Sequence, residues 1–187
     1  MDCIPRVLVP IADGSEEIEA VTIVDVLRRA KAEVTLASVM PERRITASRG
    51  VGIEADCLLQ DCATGNWDMI AIPGGMPGAE HLHNSAPLIE LITDQLKSGR
   101  WLGAICASPA VVLGRHGLIS DYRATCHSAF RDELTGQVKE TSNDAVVIDR
   151  NLITSQAPGT AMDFALSLVG ALFSAEVEKE VAIPMEG

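Results

Sequence analysis

Apolar and polar residues change period several times along this chain, and each change marks an element. Residues 6–11 read Arg-Val-Leu-Val-Pro-Ile, an apolar run of strand length that Asp13-Gly14-Ser15 interrupts. Ser15 is the expected N-cap of a helix, with Glu16, Glu17 and Glu19 in the first turn, where the helix dipole favours acids. Ile18, Val21, Val24 and Leu27 recur on one helical stripe, the expected core face, and Arg28, Arg29 and Lys31 close the carboxyl end. Residues 34–39 return to an apolar strand. A strand, a helix and a second strand in this order predict a parallel pair joined by a right-handed crossover.

The pattern continues in the same manner. Residues 45–48 and 51–55 read as short strands or a hairpin around Gly50, and 68–72 as a strand running into Pro73-Gly74-Gly75. Residues 87–98 have helical spacing, with Leu88, Leu91, Ile92 and Leu96 on one face and Gly99 as the stop. Residues 101–105 form a buried strand that ends at Cys106, and Ser108-Pro109 opens another helix. Asp149-Arg150-Asn151 turns between strands at 145–148 and 152–155, a helix runs from Pro158 through Leu172, and 175–182 add a last one. Strands alternating with helices predict an α/β doubly wound fold, and 187 residues without a linker or repeat predict one domain over 1–187.

Composition narrows the chemistry. A hydrophobic fraction of 47% and a charged fraction of 22% suit a folded globule, and 3% aromatic residues leave the core to Val, Ile, Leu and Ala. Fifteen Lys and Arg against 26 Asp and Glu, a net charge of −11, disfavour a nucleic-acid groove. No apolar run approaches the ~20 residues that a bilayer requires, and no signal-peptide pattern opens the chain, so a cytoplasmic protein with no membrane contact is expected. The five cysteines, Cys3, Cys57, Cys62, Cys106 and Cys126, are odd in number and contain no Cys-x-x-Cys pair, which predicts free thiols and no zinc site.

Ligands of open α/β sheets bind beyond the carboxyl ends of the strands. There, Cys106 has the setting of a nucleophile elbow, a strand meeting a helix with small neighbours around one reactive side chain. The following helix terminus is expected to favour its thiolate. Position alone equally allows a small buried hydrophobe, the usual fate of a free cysteine. The N–H groups of Gly75 and Ala107 could serve an oxyanion at Cys106, or Gly74-Gly75 could be an ordinary turn. Glu16 and Glu17 read as solvated partners of the dipole. Glu19, beside the apolar stripe, is either a third surface acid or, if buried, a carboxyl able to hold a proton. His127, after the strand-like Ala124-Thr125-Cys126, could orient or deprotonate Cys106 or be merely structural, and His81, His83 and His116 lack metal-ligand spacing.

The motifs Gly14-Ser-Glu-Glu-Ile-Glu19, Asp25-Val-Leu-Arg-Arg-Ala30, Ser48-Arg-Gly-Val51, Ile72-Pro-Gly-Gly75, Ala104-Ile-Cys-Ala-Ser-Pro109 and Thr154-Ser-Gln-Ala-Pro-Gly-Thr160 together resemble the ThiJ/PfpI superfamily, in the branch of its parkinsonism-associated redox protein and bacterial relatives. The resemblance covers nearly the whole chain in order. It implies a flavodoxin-like, class I glutamine amidotransferase-like α/β/α sandwich with a mostly parallel sheet, and a homodimer. It implies that Cys106 is the oxidisable cysteine, that Glu19 is a protonated glutamate bonded to its sulfur, and that Gly75 and Ala107 are the backbone donors. By the same resemblance His127 stands near the sulfur, Arg49 reaches the site from the dimer partner, and Gly74 and Ser108 border the substrate. Ser108 replaces a Gly or Ala of relatives, Ser128 replaces a Pro, and Ala47 and Glu54 stand where a relative has further cysteines. Ala107 stands where peptidase-like branches carry a histidine after the cysteine, which argues against proteolysis.

The implied activity is cysteine-dependent detoxification of small dicarbonyls or of glycated protein, of glyoxalase or deglycase type, with no cofactor and no metal. The alternative is an oxidative-stress sensor or redox-regulated chaperone whose Cys106 stops at the sulfinic acid.

Overall fold

In the computed structural model, which describes residues 4–185, the first strand already sorts the core into two layers. Strand β1 (Arg6–Ile11) sends Val7 and Val9 to one face of a sheet and Leu8 to the other, all fully buried. Side chains alternate across a strand, so a strand covered on both faces is apolar throughout. Helix α1 (Glu17–Arg29) covers Val7 and Val9 with Ile23, Val26 and Leu27, and β2 (Glu33–Ser38) pairs parallel with β1. The antiparallel hairpin of β3 (Arg44–Thr46) and β4 (Gly52–Glu54) turns through Gly50, as its sequence predicts. Then come β5 (Cys57–Leu58), the one-turn α2 (Leu59–Cys62), β6 (Met69–Ile72), α3 (Gly78–His83), α4 (Ala86–Lys97) and β7 (Trp101–Ile105). After a π-helical turn at Pro109–Gly114 follow β8 (Arg123–Ala124), α5 (Arg131–Thr135), β9 (Glu140–Thr141), β10 (Val146–Asp149), β11 (Leu152–Ser155), α6 (Ala161–Leu172) and α7 (Ala175–Ala182).

The central sheet has the order β10-β11-β7-β6-β1-β2-β5, parallel except for β10, which turns back on β11 through Arg150 at φ +55°. α1, α6 and α7 pack on one face, and α3, α4 and the π-helical turn on the other. This is a flavodoxin-like α/β/α sandwich. No helix among the described residues is long and apolar enough to cross a membrane. Cys3 lies outside the described residues.

The buried face of α1 differs from the expected stripe. Glu19, Ala20, Ile23, Val26 and Leu27 face inward, whereas Ile18 and Val21 are each 55% exposed. The reason is geometric. Three residues fall about 60° short of a turn, so a strict three-residue spacing drifts, and Ile18 and Leu27 end about 180° apart. The N-cap also moves by one residue. Glu16 caps the helix, its carboxylate accepting the Glu19 N–H at 2.8 Å, while Ser15 Oγ accepts the Ala12 N–H at 3.0 Å.

Candidate functional site

β1, β6 and β7 are parallel neighbours, so their carboxyl ends open onto one crevice. Glu16 to Glu19 follow β1, Gly74 and Gly75 follow β6, and Cys106 follows β7. Cys106 takes φ +65°, a conformation that costs a non-glycine residue roughly 1–3 kcal/mol. Two backbone bonds hold it there. Its N–H donates to Ser155 O at 3.0 Å, and its carbonyl accepts the His127 N–H at 2.8 Å. Gly74 leaves room for the elbow, since a Cβ on it would stand 2.5 Å from the Cys106 Cβ.

The Cys106 residue is 7% exposed. The N–H groups of Gly75 and Ala107 and the Glu19 carboxyl surround its sulfur and act on its proton. Gly75 presents its N–H from φ +89°, where a Cβ would collide with the Glu16 nitrogen and the Gly14 carbonyl. Glu19 is fully buried. Its Oε2 accepts the Gly74 N–H at 2.7 Å, and its Oε1 has no hydrogen-bond partner. A buried oxygen in that state is relieved by a proton shared with the sulfur beside it.

Burial pushes Glu19 up to about 7 against the Gly74 N–H, and the Glu16 charge adds to the rise. Burial also pushes the Cys106 thiol up to about 12, and ionised Glu19 pushes the same way against the N–H groups of Gly75 and Ala107. The ordinary helix whose terminus is expected to favour the thiolate does not follow the elbow. The element after the elbow is a six-residue, fully buried π-helical turn, and burial outweighs the local donors while Glu19 is charged. Sulfur and carboxyl titrate as one unit. When one proton has left it, the Gly74 N–H favours the carboxylate form, and Gly75 and Ala107 favour the thiolate. In that second form Glu19 has lost its charge and donates an O–H to sulfur.

A cavity of about 260 Å³ opens over the sulfur, walled by Gly75, Ala107, Glu16, Arg49, His127, Met76, Phe130 and Pro158 among others. His127 stands at this wall, yet its Nδ1 accepts the Ala129 N–H at 3.1 Å. With Nδ1 accepting, a neutral ring carries its proton on Nε2. Arg49 of the same chain lines this wall. Ser108 is turned away, its Oγ donating to Pro73 O at 2.6 Å in a fully buried position, so it does not border the cavity. Gly74 positions Glu19 and is likewise absent from the wall. Among the described residues no cluster of three or more His, Cys, Asp or Glu could hold a metal ion.

Some contributors are not foreseen in the sequence. Glu16 and Glu17 are buried, not solvated. Glu17 accepts the Ser48 hydroxyl at 2.7 Å and the Arg49 N–H at 2.8 Å, and so ties the β3–β4 hairpin to the site. Met76 and Phe130 supply the apolar wall, and their nearness in sequence to Gly75 and His127 is the signal that points to them.

The fold and site define a class: flavodoxin-like sandwiches built around one buried cysteine elbow with a carboxyl against its sulfur. The profile of the DJ-1/PfpI family matches residues 5–171, and the chain belongs to that family. It is 45% identical over 172 residues to protein DJ-1 homolog B of Arabidopsis thaliana, a match that takes 92% of this chain and 39% of that protein. The chain thus spans well under half the length of that relative. It is 38% identical to the glutathione-independent glyoxalase DJR-1.2 of Caenorhabditis elegans, over 96% of this chain and 94% of that one. The solved structure of oxidized Toxoplasma gondii DJ-1 superposes with a TM-score of 0.93 at 42% identity, covering 97% of each chain.

Proposed function

We propose that this chain detoxifies reactive dicarbonyls through Cys106, with no cofactor, in the manner of a glyoxalase or protein deglycase. The observation that carries the reading is the convergence of two backbone N–H groups and a buried carboxyl on one sulfur. The name of the nematode relative supports the same substrate class. The Cys106 thiolate adds to the aldehyde carbon of free methylglyoxal; from an early hemiaminal or hemithioacetal adduct it takes the same carbon once the C–N or C–S bond breaks and the protein amine or thiol leaves with a proton. The oxygen that becomes negative is held by the N–H groups of Gly75 and Ala107. Glu19 moves the proton from the first carbon to the second through an enediol, which leaves a lactoyl thioester. Water then cleaves the thioester and releases lactate, so methylglyoxal plus water gives lactate. His127 Nε2–H and Arg49, at the cavity wall, offer a donor and a cation to the substrate's second oxygen and the product carboxylate.

Lactate formation from methylglyoxal by the unaltered chain, Cys106→Ser and Glu19→Gln tests this. Loss of turnover in Cys106→Ser is expected, and full turnover there overturns the reading. A second reading uses the same donors, which suit the oxygens of a Cys106 sulfinic acid and hence an oxidative-stress sensor or redox-regulated chaperone. A stable gain of two oxygens on Cys106 after mild peroxide, with negligible lactate formation, selects it.

The partner we propose is a second copy of the chain. Ile18, Val21 and the exposed Val51 leave an apolar face beside a groove formed by Val24, Leu36 and Ile53, and two such faces cover each other in a symmetric dimer. Cys57, Cys62, Cys106 and Cys126 are all unpaired, which supports a reducing, cytoplasmic setting.

A further inference from the structure

Away from the elbow, two thiols meet at the edge of the sheet. Cys57 lies on β5, the outermost strand beyond β2, where it pairs with Ala37. That strand end is fixed by the residue before it. Asp56 donates its N–H to Leu36 O at 2.8 Å, and its carboxylate accepts the Leu36 N–H and the Arg28 guanidinium, each at 2.9 Å. The chain then makes the single turn of α2, which carries Cys62 back over its own start. The Cys62 sulfur lies 3.4 Å from Leu59 O and 3.8 Å from Leu58 O, beside the strand it has just left. There Cys57 is its neighbouring thiol. Both residues are half-buried, packed on the core at one side and open at the other. The dicarbonyl chemistry uses neither.

We propose that Cys57 and Cys62 form a second thiol site, which a low-molecular-weight disulfide converts to an intramolecular Cys57–Cys62 disulfide. The order of events follows from the local environment. Cys62 directs its S–H at the carbonyls of Leu59 and Leu58, and burial, with Cys57 next, pushes its thiol up to about 12, so Cys62 keeps its proton. Cys57 is left to attack first, and attack on a disulfide goes through the thiolate form. It adds to one sulfur of the incoming disulfide, whose S–S bond breaks and releases one thiolate. The mixed disulfide at Cys57 carries no negative charge, which removes the Cys57 contribution to the rise at Cys62. Cys62 then gives its proton to water and attacks the sulfur of Cys57, its neighbouring thiol. The mixed S–S bond breaks, and the second thiolate leaves and is protonated. Two cysteine thiols have been oxidised by two electrons, and one external disulfide has been reduced to two thiols. The attack of Cys62 is intramolecular and needs only a short closure to the S–S distance of about 2 Å.

Peptide mass mapping after incubation with glutathione disulfide tests the site on the unaltered chain, and on Cys57→Ser, Cys62→Ser and Cys106→Ser. In the unaltered chain and in Cys106→Ser, loss of two hydrogens across Cys57 and Cys62 is expected, reversed by dithiothreitol. Cys62→Ser is expected to stop at one glutathione on Cys57, and Cys57→Ser to leave Cys62 unmodified. Glutathione retained on Cys57 in the unaltered chain overturns the proposal. So do the absence of modification at either thiol, and a Cys62 adduct that forms in Cys57→Ser as fast as Cys57 reacts in the unaltered chain. The map of the unaltered chain decides the matter even where a variant folds poorly. It is independent of whether lactate is formed.

Discussion

Glu19→Gln keeps the shape of the buried side chain and removes its proton equilibrium. The amide oxygen takes over the Gly74 N–H, held at 2.7 Å in the unaltered chain, and the amide nitrogen donates to the Cys106 sulfur. Folded Glu19, pushed up to about 7, binds a proton that the unfolded chain, near the ordinary 4.5, has lost. Its stabilising contribution is therefore complete below about pH 4.5 and is lost as pH rises through about 7. At about 1.4 kcal/mol per pH unit, a rise from 4.5 to about 7 is worth roughly 3 kcal/mol. A chain of this size shifts its Tm by roughly 2–4 °C per kcal/mol, so this group alone lowers the Tm by about 6–12 °C between pH 4.5 and pH 8. In Glu19→Gln that component is absent, and the variant at pH 8 melts no lower than the unaltered chain. Thermal melts followed by circular dichroism at pH 4.5, 6, 7 and 8, at constant ionic strength, measure the difference. Apart from Cys106, which is coupled to Glu19, every other titrating group is common to both proteins and cancels to first order. Parallel Tm curves for the two proteins would show that Glu19 holds no proton in the fold, and would refute the reasoning.

The same pair sets the pH dependence of turnover. Lactate formation, as kcat/KM, is expected to rise through about pH 7 as the Glu19–Cys106 unit gives up its first proton, and a profile flat from pH 5 to 9 contradicts this. Ser108→Ala removes a buried hydroxyl bonded to Pro73 O, so stability in urea falls by about 1 kcal/mol with KM unchanged; a severalfold rise in KM would place Ser108 at the substrate after all. Val21→Glu puts a charge on the exposed apolar face of α1, and sedimentation velocity is expected to show monomer in place of dimer with the helical spectrum intact. A dimer that survives the change excludes that face as the interface.

Much of this fold is legible because its strands announce themselves. The runs ending at Ile11, Ile72 and Ile105 are apolar throughout, as strands covered on both faces must be, and each stops at residues that no strand favours. Gly99 and the turn at Arg150 likewise sit where the backbone takes positive φ. The elbow at Cys106 follows from the strand before it. What happens beyond the elbow does not. Ser108-Pro109 is a sound helix opening, and nothing local distinguishes an ordinary helix from the buried π-helical turn that the packing of residues 109–114 produces. His127 has the same limit, since its Nδ1 is claimed by an N–H only two residues away, and that bond depends on a loop conformation with no signature.

The acids of α1 show where reading by pattern stops and why. Three carboxylates in a first turn fit the helix dipole equally well, so the dipole cannot say which of them turns inward. Tertiary partners decide. Glu16 is taken by the Glu19 N–H, Glu17 by Ser48 and Arg49, and Glu19 by Gly74 and the Cys106 sulfur. With Glu19 inward, the phase of the helix follows, because Ile23, Val26 and Leu27 share its side at intervals that track a turn of 3.6 residues. The same phase carries Ile18 and Val21 to the far side. The buried carboxyl at the sulfur and the apolar face offered to a second copy are thus two consequences of one helical rotation, and a substitution that re-phases α1 should disturb both at once.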